Sequence, residues 1–180
     1  MKSFNQELKS ALVAEIRKHR EQDQVIQGNY GTKESGIFRG CAVGCAIDSL
    51  FVIGGHDTPY YLCADHGIYE RELGIPRILA ELQDVIHEGL SDESFPTWPE
   101  RFMEAVPTET DLSKVWAKFI IWLVGAFLAE KQRIVVDQNR ADMDKIMRDA
   151  ANSSGLDIKE QFYEKCAEKL IELLKAEGDE

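Results

Sequence analysis

The run FIIWLVGAFLA, residues 119–129, constrains this chain more than any other segment. Eleven uncharged residues in a row must be shielded from water, yet a hydrocarbon core needs about 20. Lys118 and Glu130 flank the run, so it reads as a helix buried inside a protein. Leu112, Val115, Trp116, Phe119, Ile120, Leu123, Ala126 and Phe127 line one wide face, the pattern of a central core helix. Thr110 or Asp111 can cap it by accepting a free amide of the first turn. Trp116, Trp122 and Phe127 can serve a homodimer interface as readily as a monomer core.

The rest of the chain supplies partners for such a helix. A stripe of Phe4, Leu8, Leu12 and Ile16 predicts a first helix over about residues 3–20. Gly28, Gly31, Gly36 and Gly40 mark residues 25–40 as a loop, with a small hairpin around Ile37 and Phe38. CAVGCAIDSLFVI, residues 41–53, reads as a buried helix. Residues 60–72 read as a loop with a helical turn. Pro76 suits the first turn of a helix running to about Glu88, with Ile75, Leu79, Leu82 and Ile86 inward. Gly89 is expected to end that helix in a left-handed conformation. A short helix opens at Trp98-Pro99 and stops before Pro107. A helix with Met143, Ile146, Met147 and Ala150 follows, then a break at residues 152–155. Phe162, Cys166, Leu170 and Leu174 stripe a final helix over about residues 158–177. The expected fold is all-α, a compact bundle of six or seven helices. Its organisation is one domain over residues 1–180: an N-terminal helix (1–22), a core with the Cys/His region (37–130) and a C-terminal helical pair (134–178).

Composition bounds the function. The 180 residues are 44% hydrophobic and 29% charged, enough to bury a core without disulfides. The net charge is −11, which argues against direct nucleic-acid binding and favours a basic protein partner. The opening MKSFNQELKSALVAEIRKHREQ has no continuous apolar stretch of the secretory kind. A cytoplasmic protein with no membrane association is therefore expected, and its four cysteines should be free thiols or metal ligands.

Cys41, Cys45, Cys63 and His66 form the one unusual constellation: C-x3-C, then 17 residues, then C-x2-H. On a helix Cys41 and Cys45 share a face, and the other two residues could complete a tetrahedral zinc site. The competing reading makes Cys41 a nucleophile. After Arg39-Gly40 it should sit at a helix N-terminus, where free amides favour a thiolate. His66 or His56 would be the base, with Asp65, Asp57 or Asp48 as the orienting acid. Against both stands a plain role for these cysteines as small core residues. Cys166 is read as core, and His19 as part of a solvated helix end. Arg77, Glu81, Asp84 and Glu88 form a polar stripe that could hold a divalent cation. A second acidic helix would normally be needed; Asp142 and Asp144 do not match it, so a solvated face is preferred. Trp98 and Phe102 are read as core rather than as a docking surface. The loop glycines make no phosphate loop.

Four blocks, Arg39-Gly40-Cys41-Ala42-Val43-Gly44-Cys45, His66-x-x-Tyr69-Glu70, Leu73-Gly74-Ile75-Pro76 and Trp98-Pro99-Glu100-Arg101-Phe102, together resemble an uncharacterised family of small bacterial and bacteriophage-encoded proteins. The resemblance spans about residues 37–124. It implies a cytosolic, mobile-element setting and no established activity, and it carries no residue role. The functional expectation is a small acidic accessory protein that acts by protein binding. A Cys/His-dependent hydrolase or transferase and a zinc-stapled helical module are the alternatives.

Overall fold

Helix α1, Gln6–Glu21, begins where Asn5 accepts the Leu8 amide at 2.9 Å. That bond satisfies one of the four free donors of a first turn. Phe4, Leu12 and Ile16 bury the expected stripe. The computed structural model describes residues 4–128 and 159–179, and over these the chain is all-α with one small hairpin. The helix expected around Met143 and the break at residues 152–155 lie outside the described residues.

The hairpin pairs β1, Thr32–Glu34, with β2, Ile37–Arg39, antiparallel, Lys33 opposite Phe38. Ser35 and Gly36 join them with φ of 53° and 84°. Two positive φ values in a two-residue turn match the twist of the strands, and glycine adopts one without strain. Phe38 is the buried residue of β2 and closes over Val25, Cys45 and Cys63.

Helix α2, Ala42–Ile53, is the enclosed element: every residue over 42–49 is buried. It packs against α1, against α3, Arg77–Gly89, and against α4, Trp98–Ala105. A 3-10 turn, Tyr60–Leu62, and a wide helical turn, Tyr69–Leu73, lead into α3, with Gly74 at φ 67° closing the second. Ile75, Leu79, Leu82 and Ile86 are fully buried, as their spacing requires. Trp98 and Phe102 meet edge to face at 5.8 Å inside the core, and the Trp98 indole donates to the Gln83 carbonyl at 2.9 Å. Arg17 and Arg20 of α1 both grip Glu100, at 2.6 and 3.0 Å, fixing α1 to α4.

The apolar run forms α5, Val115–Leu128, with Val115, Phe119 and Leu123 buried. It is not central, however. Ile121 is 73% exposed, and α5 lies against α3 and the last helix, α6, Lys159–Gly178. Asp111 accepts the Ser113 amide just ahead of α5, and Lys118 bonds Glu177 of α6 at 2.5 Å. Phe162, Cys166, Leu170 and Leu174 of α6 are buried as predicted.

Two expectations are corrected here. Gly89 ends α3 without a positive φ. Its lack of a side chain serves packing instead: a Cβ there would lie 2.2 Å from the Tyr163 ring of α6. His19, expected in solvent, is buried. Its Nδ1 lies 2.6 Å from Gln24 Oε1 and its Nε2 3.3 Å from Asp48 Oδ2. The Thr58 hydroxyl donates to the other Asp48 oxygen at 2.6 Å. The last turn of α1 thus lands on the one acidic residue of α2, which a periodicity argument along α1 alone does not reveal.

Among the described glycines, Gly44 has the least room for a side chain. A Cβ on it would stand 1.6 Å from the Tyr30 carbonyl oxygen. Gly44→Ala should destabilise the protein by about 3 kcal/mol, the upper end of the usual overpacking cost, because backbone cannot move aside as a side chain can. Urea unfolding of the variant against the parent chain measures this; a loss below about 0.5 kcal/mol, the scatter of neutral surface changes, would contradict it.

Candidate functional site

The site is built where the N-terminus of α2 meets the last turns of α3. Cys41 is the residue before α2, with extended φ and ψ of −69° and −177°. Its amide donates to the Asn29 carbonyl at 2.8 Å. Its sulfur faces the amides of Val43 and Gly44, as the glycine-then-cysteine order predicts, though it makes no capping hydrogen bond. It also faces Asp84.

Asp84 and Glu88 stand one turn apart on α3 and point to the same place. One sulfur and two carboxylate oxygens, from Cys41, Asp84 and Glu88, all lie within 4.8 Å of one another. Among the described residues no other group of three Cys, His, Asp or Glu side chains converges this closely. His66 backs the cluster, its Nε2 3.4 Å from Asp84 Oδ2. Tyr30 covers it, its ring edge-on to His66 at 5.7 Å and its hydroxyl directed at Asp84. The Gly28 amide donates to Glu88 Oε2 at 2.8 Å. Asp84 Oδ1 is buried and makes no hydrogen bond among the described residues. The Tyr69 hydroxyl, both amide atoms of Gln83 and His87 Nδ1 share that state.

The electrostatics oppose a free thiolate. Burial, then the negative charge of Asp84, pushes the Cys41 thiol far above its ordinary range, and the amides of Val43 and Gly44 only partly offset this. Burial raises Glu88 too, against the bond from Gly28. Tyr30 is raised by burial and by Asp84. His87 is lowered by burial, so it is held as the neutral ring. A neutral thiol 1% exposed is a poor nucleophile.

The expected residues therefore separate. Cys41 and His66 both border Asp84. Asp65 does not orient His66; it bonds Arg71 at 2.7 Å near the surface, which holds its carboxyl below the usual range. Asp84 takes that place instead. Cys45 and Cys63 pack with Val25 and Phe38, apart from the core that holds Cys41. The Cys45 thiol is spent on the Gly40 carbonyl at 3.2 Å, and burial pushes Cys63 up to about 11. Cys41, Cys45, Cys63 and His66 thus do not converge as a set; of the four, only Cys41 belongs to a converging group among the described residues. His56 is exposed, and Asp48 is taken by His19 and Thr58.

No family model, curated protein or solved structure matches the chain. The geometry alone must therefore speak for the site.

Sequence reasoning placed Asp84 and Glu88 on a solvated stripe. Arg77 and Glu81 do form the expected pair, at 2.8 Å. The stripe turns inward at Asp84, which is 8% exposed. The available signal was Ala80, an apolar residue one turn ahead on the same face. Tyr30 gave no comparable signal, because a loop residue has no periodicity.

These surroundings predict that native Cys41 resists iodoacetamide at neutral pH and reacts once the chain is unfolded. Peptide mapping after timed labelling checks this, and rapid native modification of Cys41 would revive the nucleophile reading.

Proposed function

We propose that the chain is a domain that binds a divalent cation of the zinc class through Cys41, Asp84 and Glu88. The supporting observation is the convergence of those three ligand atoms within 4.8 Å, one of them on Asp84, whose Oδ1 is buried and has no hydrogen bond among the described residues. A thiol between two carboxylates is stable only with protons or a cation among them. A doubly charged ion removes the repulsion that keeps the thiol protonated. Ligand distances of about 2.0–2.3 Å put tetrahedral donors roughly 3.3–3.8 Å apart, so a closing of about an ångström would bring the three donors to bonding distance of one ion. Thiolate suits zinc, and carboxylates complete a mixed set that zinc accepts.

Three protein ligands leave a fourth position for water or substrate, the arrangement of catalytic zinc rather than of a structural staple. His66 then orients Asp84 from behind, as outer partners of ligands do. A water on such an ion is a nucleophile near neutral pH, so the chemistry within reach is hydrolysis with Cys41 as ligand. Four free, buried cysteines suit a reducing cytoplasmic setting, and the mobile-element setting belongs to the same proposal.

Titration with Co2+, followed by thiolate-to-cobalt charge-transfer absorption, tests the reading. One ion per chain is expected, with the band lost in Cys41→Ser. Affinity should fall at least about tenfold in Asp84→Asn, since even outer partners of metal ligands cost that much. At a free cation concentration about 100 times the dissociation constant, stability should rise by about 2.7 kcal/mol. A folded parent chain that shows no band removes the proposal.

A second reading, protein binding, draws on Val52, Ile53, Tyr60 and Tyr61, apolar side chains left exposed around the end of α2. Its simplest occupant is a second copy of this chain. Sedimentation velocity should then find a dimer that Tyr61→Asp dissociates; a monomer at every concentration removes this version.

A further inference from the structure

From solvent, the Cys41–Asp84–Glu88 cluster is reached past Glu88 and Tyr30. Cys41 and Asp84 are 1% and 8% exposed, whereas Glu88 is exposed and Tyr30 is 41% exposed. Residues 27–31 form this edge, and several of their donors are engaged with the protein itself. The Gln27 side chain donates to the carbonyls of His87 and Leu90, at 2.6 and 3.0 Å. The Gly28 amide donates to Glu88 Oε2 at 2.8 Å, and the Gly31 amide to the Asn29 side chain at 3.0 Å. The Tyr30 hydroxyl is directed inward, at Asp84, with its ring edge-on to His66 at 5.7 Å. The backbone behind it is fixed. The Asn29 carbonyl receives the Cys41 amide at 2.8 Å. The Tyr30 carbonyl oxygen stands 2.5 and 1.6 Å from where Gly40 and Gly44 would carry a Cβ. A phenol on so constrained a backbone is a preorganised donor, the kind that stabilises charge as it develops.

With three protein ligands the cation has one position left, and water takes it. The oxygen of a substrate under attack then needs a donor of its own, because negative charge gathers on it as the water adds. Donors around one tetrahedral ion stand only roughly 3.3–3.8 Å apart, so a hydroxyl beside Asp84 on the solvent side borders the fourth position. A hydroxyl turns about its C–O bond, so the same phenol serves Asp84 or a substrate oxygen. His66 Nε2 meanwhile stays on Asp84 Oδ2, at 3.4 Å. Charge then selects the substrate. One thiolate and two carboxylates outnumber the charges of a dication by one. Beyond Glu88 a cleft of about 560 Å³ adds Asp92 and Glu93 to the same side, with Gln27 and Ser91. A surface of that sign repels anionic groups.

Resting on the cation-binding reading, we propose that Tyr30 is a catalytic residue of that site, the donor to a substrate's carbonyl oxygen, and that the substrate is a neutral or cationic ester or amide rather than a phosphate ester. The water on the cation adds its oxygen to the carbonyl carbon. The electron pair of the C=O bond moves onto the carbonyl oxygen, which the Tyr30 O–H holds. When that pair returns, the bond to the alcohol or amine breaks, and the leaving group departs with the proton that the water gave up. The products are a carboxylic acid and an alcohol or amine, and Tyr30 keeps its own proton throughout.

The test uses the full chain with Co2+, in the parent, Tyr30→Phe and Cys41→Ser, with p-nitrophenyl acetate and p-nitrophenyl phosphate as probes. Tyr30→Phe keeps a ring against His66, and the thiolate–cobalt band reports that it is folded and loaded. The loaded parent should hydrolyse the acetate and not the phosphate, and Cys41→Ser should hydrolyse neither. Tyr30→Phe should lower kcat on the acetate at least about a hundredfold, the loss typical of one oxyanion donor, with the cobalt affinity held within about twofold. If the band forms and depends on Cys41, three results overturn the inference and leave the cation site standing: Tyr30→Phe turns over the acetate as the parent does, the parent prefers the phosphate, or the parent turns over neither. If no band forms in the folded parent, both fall.

Discussion

The close approach of the Tyr30 backbone to Gly44 is the contact on which the rest of this structure depends. It presses a loop against the first turn of the most enclosed helix, where a single methyl group would stand 1.6 Å from a carbonyl oxygen. Because the loop sits so low, its carbonyls and amides reach both the N-terminus of α2 and the C-terminal turns of α3. Those two helix ends carry Cys41, Asp84 and Glu88. The spacing of two glycines around one cysteine thus decides whether a polar cluster can exist there at all.

The same crossing explains how so many polar groups tolerate burial. The Cys41 thiol, the Asp84 carboxylate and the His66 imidazole are buried together, with Glu88 and Tyr30 at the exposed edge, and Asp84 Oδ1 lacks a partner among the described residues. Such groups are costly unless something satisfies them. The surrounding core is conventional by comparison: Trp98, Phe102, Leu79 and Ile86 fill it without any polar debt. Among the described residues, Gln83, Asp84 and His87 gather such atoms on one helix, α3, and local rules are most often broken where a structure serves a purpose.

Much of this was legible beforehand, and the residues show why. The stripes of α1, α3 and α6 follow from spacing alone, since burial of one face is a property of a single helix. The hairpin around Ile37 and Phe38 was marked by the glycines of residues 25–40, of which Gly36 stands in its turn with positive φ. Cys41 at the start of α2 was readable from Gly40. What escaped were the pairings between segments distant in the chain. His19 finds Asp48, Asp84 displaces Asp65 beside His66, and Cys45 and Cys63 turn away to Phe38. None of these leaves a trace in periodicity, because each depends on where two separately predictable helices cross. The apolar run of α5 misled for the opposite reason: its hydrophobicity signalled burial of a face, and centrality was read into it.

The Tyr163 ring occupies the space that a side chain on Gly89 would fill, directly beside the turn bearing Glu88. Residue 163 leaves the ribosome well after residue 89. The packing around that helix end is therefore complete only once α6 has been made, although Gln27 and Gly28, far upstream, already hold its polar groups.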